Sequence, residues 1–198
     1  MTAGVLLAAG ASRRMGGTNK LLLPVGGRPM VRRPAEALVG AGLEPVIVVL
    51  GRDADAVAEA LAGLPVRQVR NPDPDEGMGG SLRRGCEALP AGADAVAVAL
   101  GDLPGLRPEA VRRVVEAFRR SPRGIAVPVH RGRRGHPVVL DLGRYRAELL
   151  ALRGDRGARS LLRAHPDDVL EVPVDDPGVV ADVDTPEEYQ RLADPEGA

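Results

Sequence analysis

The chain has 198 residues, 44% of them hydrophobic, which is the size of one domain with enough apolar content for a single sizeable core. Basic and acidic side chains balance at 27 each, so no global electrostatic pull toward nucleic acid or an anionic membrane is expected, and any anion must be held by a local site. The single cysteine, Cys86, excludes an intramolecular disulfide framework and a multi-cysteine metal centre, and suits a reducing cytoplasm.

The first apolar run, Gly4 to Ala9, reads as a buried strand. It is too short for a signal peptide and nothing basic precedes it, and no later segment approaches the roughly 20 apolar residues of a membrane span. A helix is predicted from Pro29 to Gly40, a strand at Val46 to Leu50, a helix from Ala54 to Leu61 and a strand at Val66 to Val69. A helix from Ser81 to Leu89 and a strand at Ala95 to Leu100 follow. Leu106, Ala110, Val111, Val114, Val115 and Phe118 then lie along one helix face. Strand and helix in alternation imply a parallel sheet covered on both sides. The second half is less regular. Apolar runs at Ile125 to Val129, Pro137 to Leu140, Val169 to Val174 and Val179 to Val183, with helices near Arg144 to Leu152 and Ala158 to Ala164, are expected to extend the same sheet. The Arg131 to Arg134 turn reads as a loop at its edge. No repeat or long linker divides the chain, so residues 1–198 are expected to form one domain.

The composition singles out one residue. Of the 27 basic side chains, 26 are arginine, and the only lysine is Lys20. An ammonium is a compact point donor that fits between phosphate oxygens where the broad guanidinium does not. Lys20 ends the segment Leu7-Ala8-Ala9-Gly10-Ala11-Ser12-Arg13-Arg14-Met15-Gly16-Gly17-Thr18-Asn19-Lys20, directly after the first predicted strand. Ligands of open parallel sheets bind beyond the carboxyl ends of strands, and small residues there let backbone N–H groups approach phosphates, with Arg14 and Lys20 supplying charge. The segment is neither a P-loop nor a dinucleotide fingerprint. A glycine-rich turn alone can also serve backbone geometry only.

Asp102 follows the strand Ala95 to Leu100 and faces the same crevice, placed to hold Mg2+ on bound phosphates, since magnesium needs only one or two protein carboxylates. Taken alone, it is equally a turn former before Pro104. In Ala181 to Glu188, Thr185, Pro186 and Glu188 have the pattern of a helix start with a capping box. That leaves Asp182 and Asp184 to explain, and they are predicted to alternate on one face of a strand. Asn71 to Ser81 is a second glycine-rich segment ahead of a helix, with Asn71, Gly80 and Ser81 as nucleotide contacts or with Ser81 as N-cap. Arg131, Arg133, Arg134 and His136 could meet an anionic acceptor, although some of these arginines need only be solvated.

In this order the segments resemble the nucleotidyltransferases that act on the molybdenum cofactor, particularly their cytidylyltransferase branch. The likeness rests on Leu-Ala-Ala-Gly-Ala-Ser-Arg-Arg-Met-Gly with Lys20, the Asn71 to Ser81 segment, Gly-Asp-Leu-Pro at 101–104, Gly-His-Pro at 135–137, Gly-Asp-Arg-Gly-Ala-Arg at 154–159 and Asp-Val-Asp-Thr-Pro-Glu-Glu at 182–188. The resemblance implies a three-layer α/β/α fold with a mostly parallel mixed sheet, like the nucleotide-diphospho-sugar transferases. It also implies attack of a molybdopterin-type phosphate on the α-phosphorus of CTP or GTP. Leu7, Ala8, Ala9, Gly10, Ala11, Ser12, Arg14 and Lys20 would contact the triphosphate, with Arg14, Lys20 and Asp102 as the catalytic groups. Asp102 and Asp184 would ligate Mg2+, with Asp182 in reserve, and His136 would meet the acceptor. Ala9 resembles the pyrimidine-using enzymes, whereas the Gly16 to Lys20 spacing is closer to the guanylyl branch, so the base stays open. A recipient molybdoenzyme is a further implied partner. The alternatives are transfer to a sugar phosphate or methylerythritol phosphate, and a non-catalytic nucleotide or cofactor carrier.

Overall fold

In the computed structural model, residues 1–10, 12, 15 and 18–193 are described. The strands are β1 (Thr2–Ala8), β2 (Pro24–Val25), β3 (Arg28–Pro29), β4 (Val46–Leu50), β5 (Val66–Arg70), β6 (Ala95–Leu100), β7 (Ile125–His130), β8 (Arg133–Arg134), β9 (Val138–Asp141) and β10 (Val169–Pro173). The helices are α1 (Arg32–Gly40), α2 (Ala54–Ala60), α3 (Met78–Glu87), α4 (Pro108–Arg119), α5 (Leu142–Leu150), α6 (Ala158–Ala164) and α7 (Pro186–Ala193).

The main sheet runs β10-β7-β9-β6-β1-β4-β5, with β8 paired to β7. β1 is parallel to both β4 and β6, β4 to β5, and β7 to β10, while β9 lies antiparallel between β6 and β7. The expected three-layer fold with a mostly parallel mixed sheet is therefore present. Every residue of β1 and of β4 is buried, because helices cover both faces, and this is why those strands read as continuous apolar runs. Leu6, Val48 and Ala97 face one core with Leu38, Val57 and Val111 from α1, α2 and α4. Val5, Ile47 and Val96 face the other with Leu82, Tyr145 and Leu161 from α3, α5 and α6. The chain leaves β1 toward β4 on one side, while β6 flanks β1 on the other. The crevice beyond the carboxyl ends of β1 and β6 is thus the point where ligands of such sheets bind.

The structure departs from the sequence expectations in four places. Helix α1 begins at Arg32 rather than Pro29, because Arg28–Pro29 pairs with Pro24–Val25 in a small hairpin. Helix α3 begins at Met78, so Ser81 lies inside it and is not its N-cap. The Arg131 to Arg134 segment is not only a loop: Arg131 (φ 48°) and Gly132 (φ 78°) make the two-residue left-handed turn of a hairpin between β7 and β8. Val179 to Val183 is no strand. Pro177–Val179 forms a short 3-10 helix, and the segment makes single backbone bonds, such as His136 N–H to Val179 O and Val183 N–H to Asp102 O, instead of a ladder. Asp182 and Asp184 therefore do not share a strand face.

Candidate active site

Beyond β1 and β6 lies a cavity of about 430 Å³. Six separate stretches of the chain line it, represented by Gly10, Lys20, Asp75, Asp102, Asp155 and Asp184.

Lys20 opens a short 3-10 helix, Lys20–Leu22, whose cap Asn19 accepts the Leu21 N–H at 3.1 Å. The Lys20 N–H in turn donates to Ser12 Oγ at 3.1 Å, tying the early loop to this turn. The turn carries the side chain inward. Lys20 Nζ donates to Asp102 Oδ2 at 2.6 Å and to Asp184 Oδ1 at 2.7 Å. Asp102 arrives on the end of β6, and Val183 N–H donates to its carbonyl at 3.0 Å, which brings the 182–184 segment alongside. Asp184 is then fixed by the capping box of α7. Glu188 Oε2 accepts the Asp184 N–H at 2.7 Å and the Thr185 N–H at 3.0 Å, and Glu188 N–H donates back to Thr185 Oγ1 at 3.2 Å. The cap that explains Thr185, Pro186 and Glu188 thus also sets the position of the acid.

These groups are electrostatically coupled. Burial acts to lower the Lys20 ammonium, but the charges and hydrogen bonds of Asp102 and Asp184 outweigh it and hold the group above its ordinary value. Burial pushes the Asp102 carboxyl up, Lys20 opposes this, and Asp182 and Asp184 add to the rise. Around Asp102 the described residues thus set one ammonium against three carboxylates. Asp102 Oδ1, moreover, is buried with no hydrogen-bond partner, so Lys20 does not satisfy this carboxylate. A divalent cation fits that surplus of negative charge and that orphaned oxygen, and hard cations take such oxygen ligands. No group of three or more His, Cys, Asp or Glu side chains suited to a metal occurs among the described residues. A metal here would thus rely on two carboxylates completed by phosphate and water.

Of the other sequence-predicted residues, Leu7, Ala9, Gly10, Ser12 and Ser81 line the cavity, and Ala8, Asn71 and Gly80 do not. Asn71 is a buried brace: its Nδ2 donates to Ser81 Oγ at 3.1 Å and its Oδ1 accepts the Asp73 N–H. A Cβ on Gly80 would lie 2.6 Å from the Glu76 carboxylate, the end of a flexible side chain that would have to shift. Ala11 and Arg14 lie outside the described residues. His136 is buried beside a separate small cavity of about 30 Å³, which it lines with Arg159 and Asp182, among others. Its Nδ1 donates to Val98 O at 3.3 Å, and burial pushes its pKa down to about 4, so the ring is neutral near pH 7.

Sequence reasoning missed Asp75, Asp155 and Met78 as lining residues. Asp75 and Met78 lie within the Asn71 to Ser81 segment, and Asp155 within the 154–159 segment, whose meeting was not foreseen. Gly79 N–H donates to Gly154 O at 2.7 Å, and a Cβ on Gly79 would lie 2.8 Å from that carbonyl, so glycine is what lets α3 start against the 154–157 loop. Met78, 44% exposed, offers an apolar wall.

The sheet order and the pocket beyond β1 and β6 define the nucleotidyltransferase class with the nucleotide-diphospho-sugar transferase fold. A nucleotidyl transferase from Methanothermobacter (Mth528) superposes with a TM-score of 0.84 at 30% identity, covering 98% of this chain and 96% of that one. The chain belongs to the MobA-like NTP transferase domain family, whose model matches residues 4–169. It is also 39% identical over 196 residues to nicotine blue oxidoreductase of Paenarthrobacter nicotinovorans, across 96% of this chain and 95% of the relative. Rv0371c of Mycobacterium tuberculosis H37Rv in complex with manganese matches at 31% identity and a TM-score of 0.80, over 98% of both chains.

Proposed function

We propose that this protein transfers CMP from CTP to the terminal phosphate of a molybdopterin-type cofactor, with pyrophosphate as leaving group. The observation that carries the reading is the convergence of Lys20, Asp102 and Asp184 on one cavity beyond β1 and β6. An acceptor phosphate oxygen forms a bond to the α-phosphorus as the bond to the bridging oxygen of the departing pyrophosphate breaks. Such chemistry needs positioning and charge neutralisation rather than a nucleophile on the protein. That suits a chain whose one thiol, Cys86, is buried and pushed up by that burial to about 12. Lys20 and Arg14 hold the triphosphate, and Leu7, Ala9, Gly10 and Ser12 form its loop. Asp102 and Asp184 would hold Mg2+, which when bound draws charge off the phosphates. Support for a divalent ion comes from the orphaned Asp102 oxygen and the manganese complex of the Rv0371c relative. His136, neutral and beside Arg159, is the proposed acceptor contact. The whole chain acts as one domain. A cytoplasmic setting suits its lone cysteine, and no helix among the described residues is long and apolar enough to cross a membrane.

For the base, the Ala9 methyl in the cavity wall favours a pyrimidine over guanine. The test is to mix protein, Mg2+ and molybdopterin cofactor with each triphosphate in turn and to measure pyrophosphate. Release with CTP supports the reading. Release with GTP alone transfers it to the guanylyl branch, and turnover only with a sugar phosphate or methylerythritol phosphate removes it. Binding without turnover would leave a carrier. A redox reading is favoured by the 39% identity to nicotine blue oxidoreductase. With no second cysteine for a dithiol couple, it would need a bound electron donor, and dye-dependent oxidation of a reduced nicotinamide nucleotide would reveal it.

A further inference from the structure

The proposed metal ligands are already bridged by a cation of the chain itself. Lys20 Nζ stands 2.6 Å from one Asp102 oxygen and 2.7 Å from one Asp184 oxygen. A magnesium ion bound to both of those oxygens would sit at about 2.0–2.1 Å from each, on the same ground as the ammonium. Two cations cannot share that ground without strong repulsion. The second Asp102 oxygen is buried behind this contact, so an ion would gain it only once the ammonium has moved away. The Lys20 side chain is only 11% exposed, and both carboxylates hold it in place.

We infer that Lys20 excludes the bare divalent ion, so that the site takes its metal only as a metal–triphosphate chelate. This rests on the function proposed above. The incoming polyphosphate offers the ammonium new oxygen partners, and its departure from between the acids frees them for the ion. A ligand that carries its own anionic oxygens can make that exchange, and a hydrated metal ion cannot. Lys20 is thus a positioning residue for the metal as well as a phosphate contact, and it couples arrival of the metal to arrival of the nucleotide.

The test uses Mn2+ alone, with no nucleotide or acceptor, and follows free Mn2+ by electron paramagnetic resonance. Wild-type protein is expected to bind bare Mn2+ no better than Asp102→Asn. Lys20→Met, which keeps the length and removes the charge, is expected to bind it about tenfold tighter or more. Lys20→Met combined with Asp102→Asn is expected to lose that gain, which locates the ion. Circular dichroism establishes that each variant is folded. Should Lys20→Met fail to fold, the wild-type arm still decides: bare Mn2+ bound by wild type and lost in Asp102→Asn overturns the inference, and equal weak binding supports it. Equal affinities in wild type and folded Lys20→Met overturn it as well. None of these readouts depends on transfer, so a failed transfer assay and a failed metal assay are told apart.

Discussion

At the scale of single residues, Lys20 is the one lysine of the chain, and its nitrogen joins two acids 82 and 164 positions away. Because these groups act on charge that develops during transfer, Lys20→Ala and Asp102→Ala are each expected to lower turnover by on the order of a hundredfold or more. Near-normal rates at saturating Mg2+ in either folded variant would remove its assigned role. Ala9 makes a subtler case. Ala9→Gly is expected to shift the CTP to GTP ratio of kcat/KM toward GTP by up to about 3 kcal/mol, the worth of one methyl-sized contact. An unchanged ratio would show that base choice lies elsewhere in the cavity. Lys20 was legible in the sequence because an arginine-rich background makes a lysine conspicuous. Asp75 and Asp155 were not, since an acid in a loop rich in Pro, Gly and Asp looks like ordinary turn chemistry.

At the scale of elements, the capping box of α7 ties stability to the site. Thr185→Ala removes the side chain that accepts the Glu188 N–H and is expected to cost about 1 kcal/mol in urea unfolding. Glu188→Ala releases the Asp184 and Thr185 N–H groups, so it should raise the Mg2+ concentration for half-maximal turnover while the triphosphate KM at saturating Mg2+ changes less. If both parameters stay at wild-type values, Asp184 does not depend on its cap. The strands of the first half could be read closely, for example Val46 to Leu50 and Ala95 to Leu100, because burial on both faces writes an uninterrupted apolar run. Val179 to Val183 carries the same kind of run and is not a strand. Its apolar residues Val179, Val180 and Val183 are buried by packing while the backbone turns at Pro177, and a hydropathy pattern does not separate those two outcomes. The start of α3 was misplaced for a different reason. Gly79 and Gly80 look like loop residues, yet Gly79 is demanded by the backbone of residues 153–156, which comes from elsewhere in the chain.

At the scale of the whole molecule, the sheet order brings together loops that the sequence separates; the position of ligands beyond parallel strand ends anticipated this for the Lys20 segment and Asp102, and the resemblance added Asp184. The same packing buries His136 between the sheet and the 177–180 turn. Its native pKa, about 4, lies below the ordinary value of 6.5. The unfolded chain therefore takes up a proton between pH 6.5 and 4 that the native chain refuses, so this contribution to stability is intact above pH 6.5 and is lost as the pH falls toward 4. The full loss is about 3 kcal/mol. Urea unfolding of His136→Gln across that window is expected to show a flatter pH dependence than wild type, and an identical slope would contradict the assignment. Family membership and fold leave one large question, whether the pocket moves a nucleotidyl group or serves a redox reaction like that named for its Paenarthrobacter relative. The most direct test is a single turnover with CTP labelled at the α-phosphorus, Mg2+ and molybdopterin cofactor. The account expects the label to appear in a cytidylylated cofactor with one pyrophosphate released per label. Label that stays in CTP while a reduced nicotinamide nucleotide is consumed in the presence of a dye would contradict it.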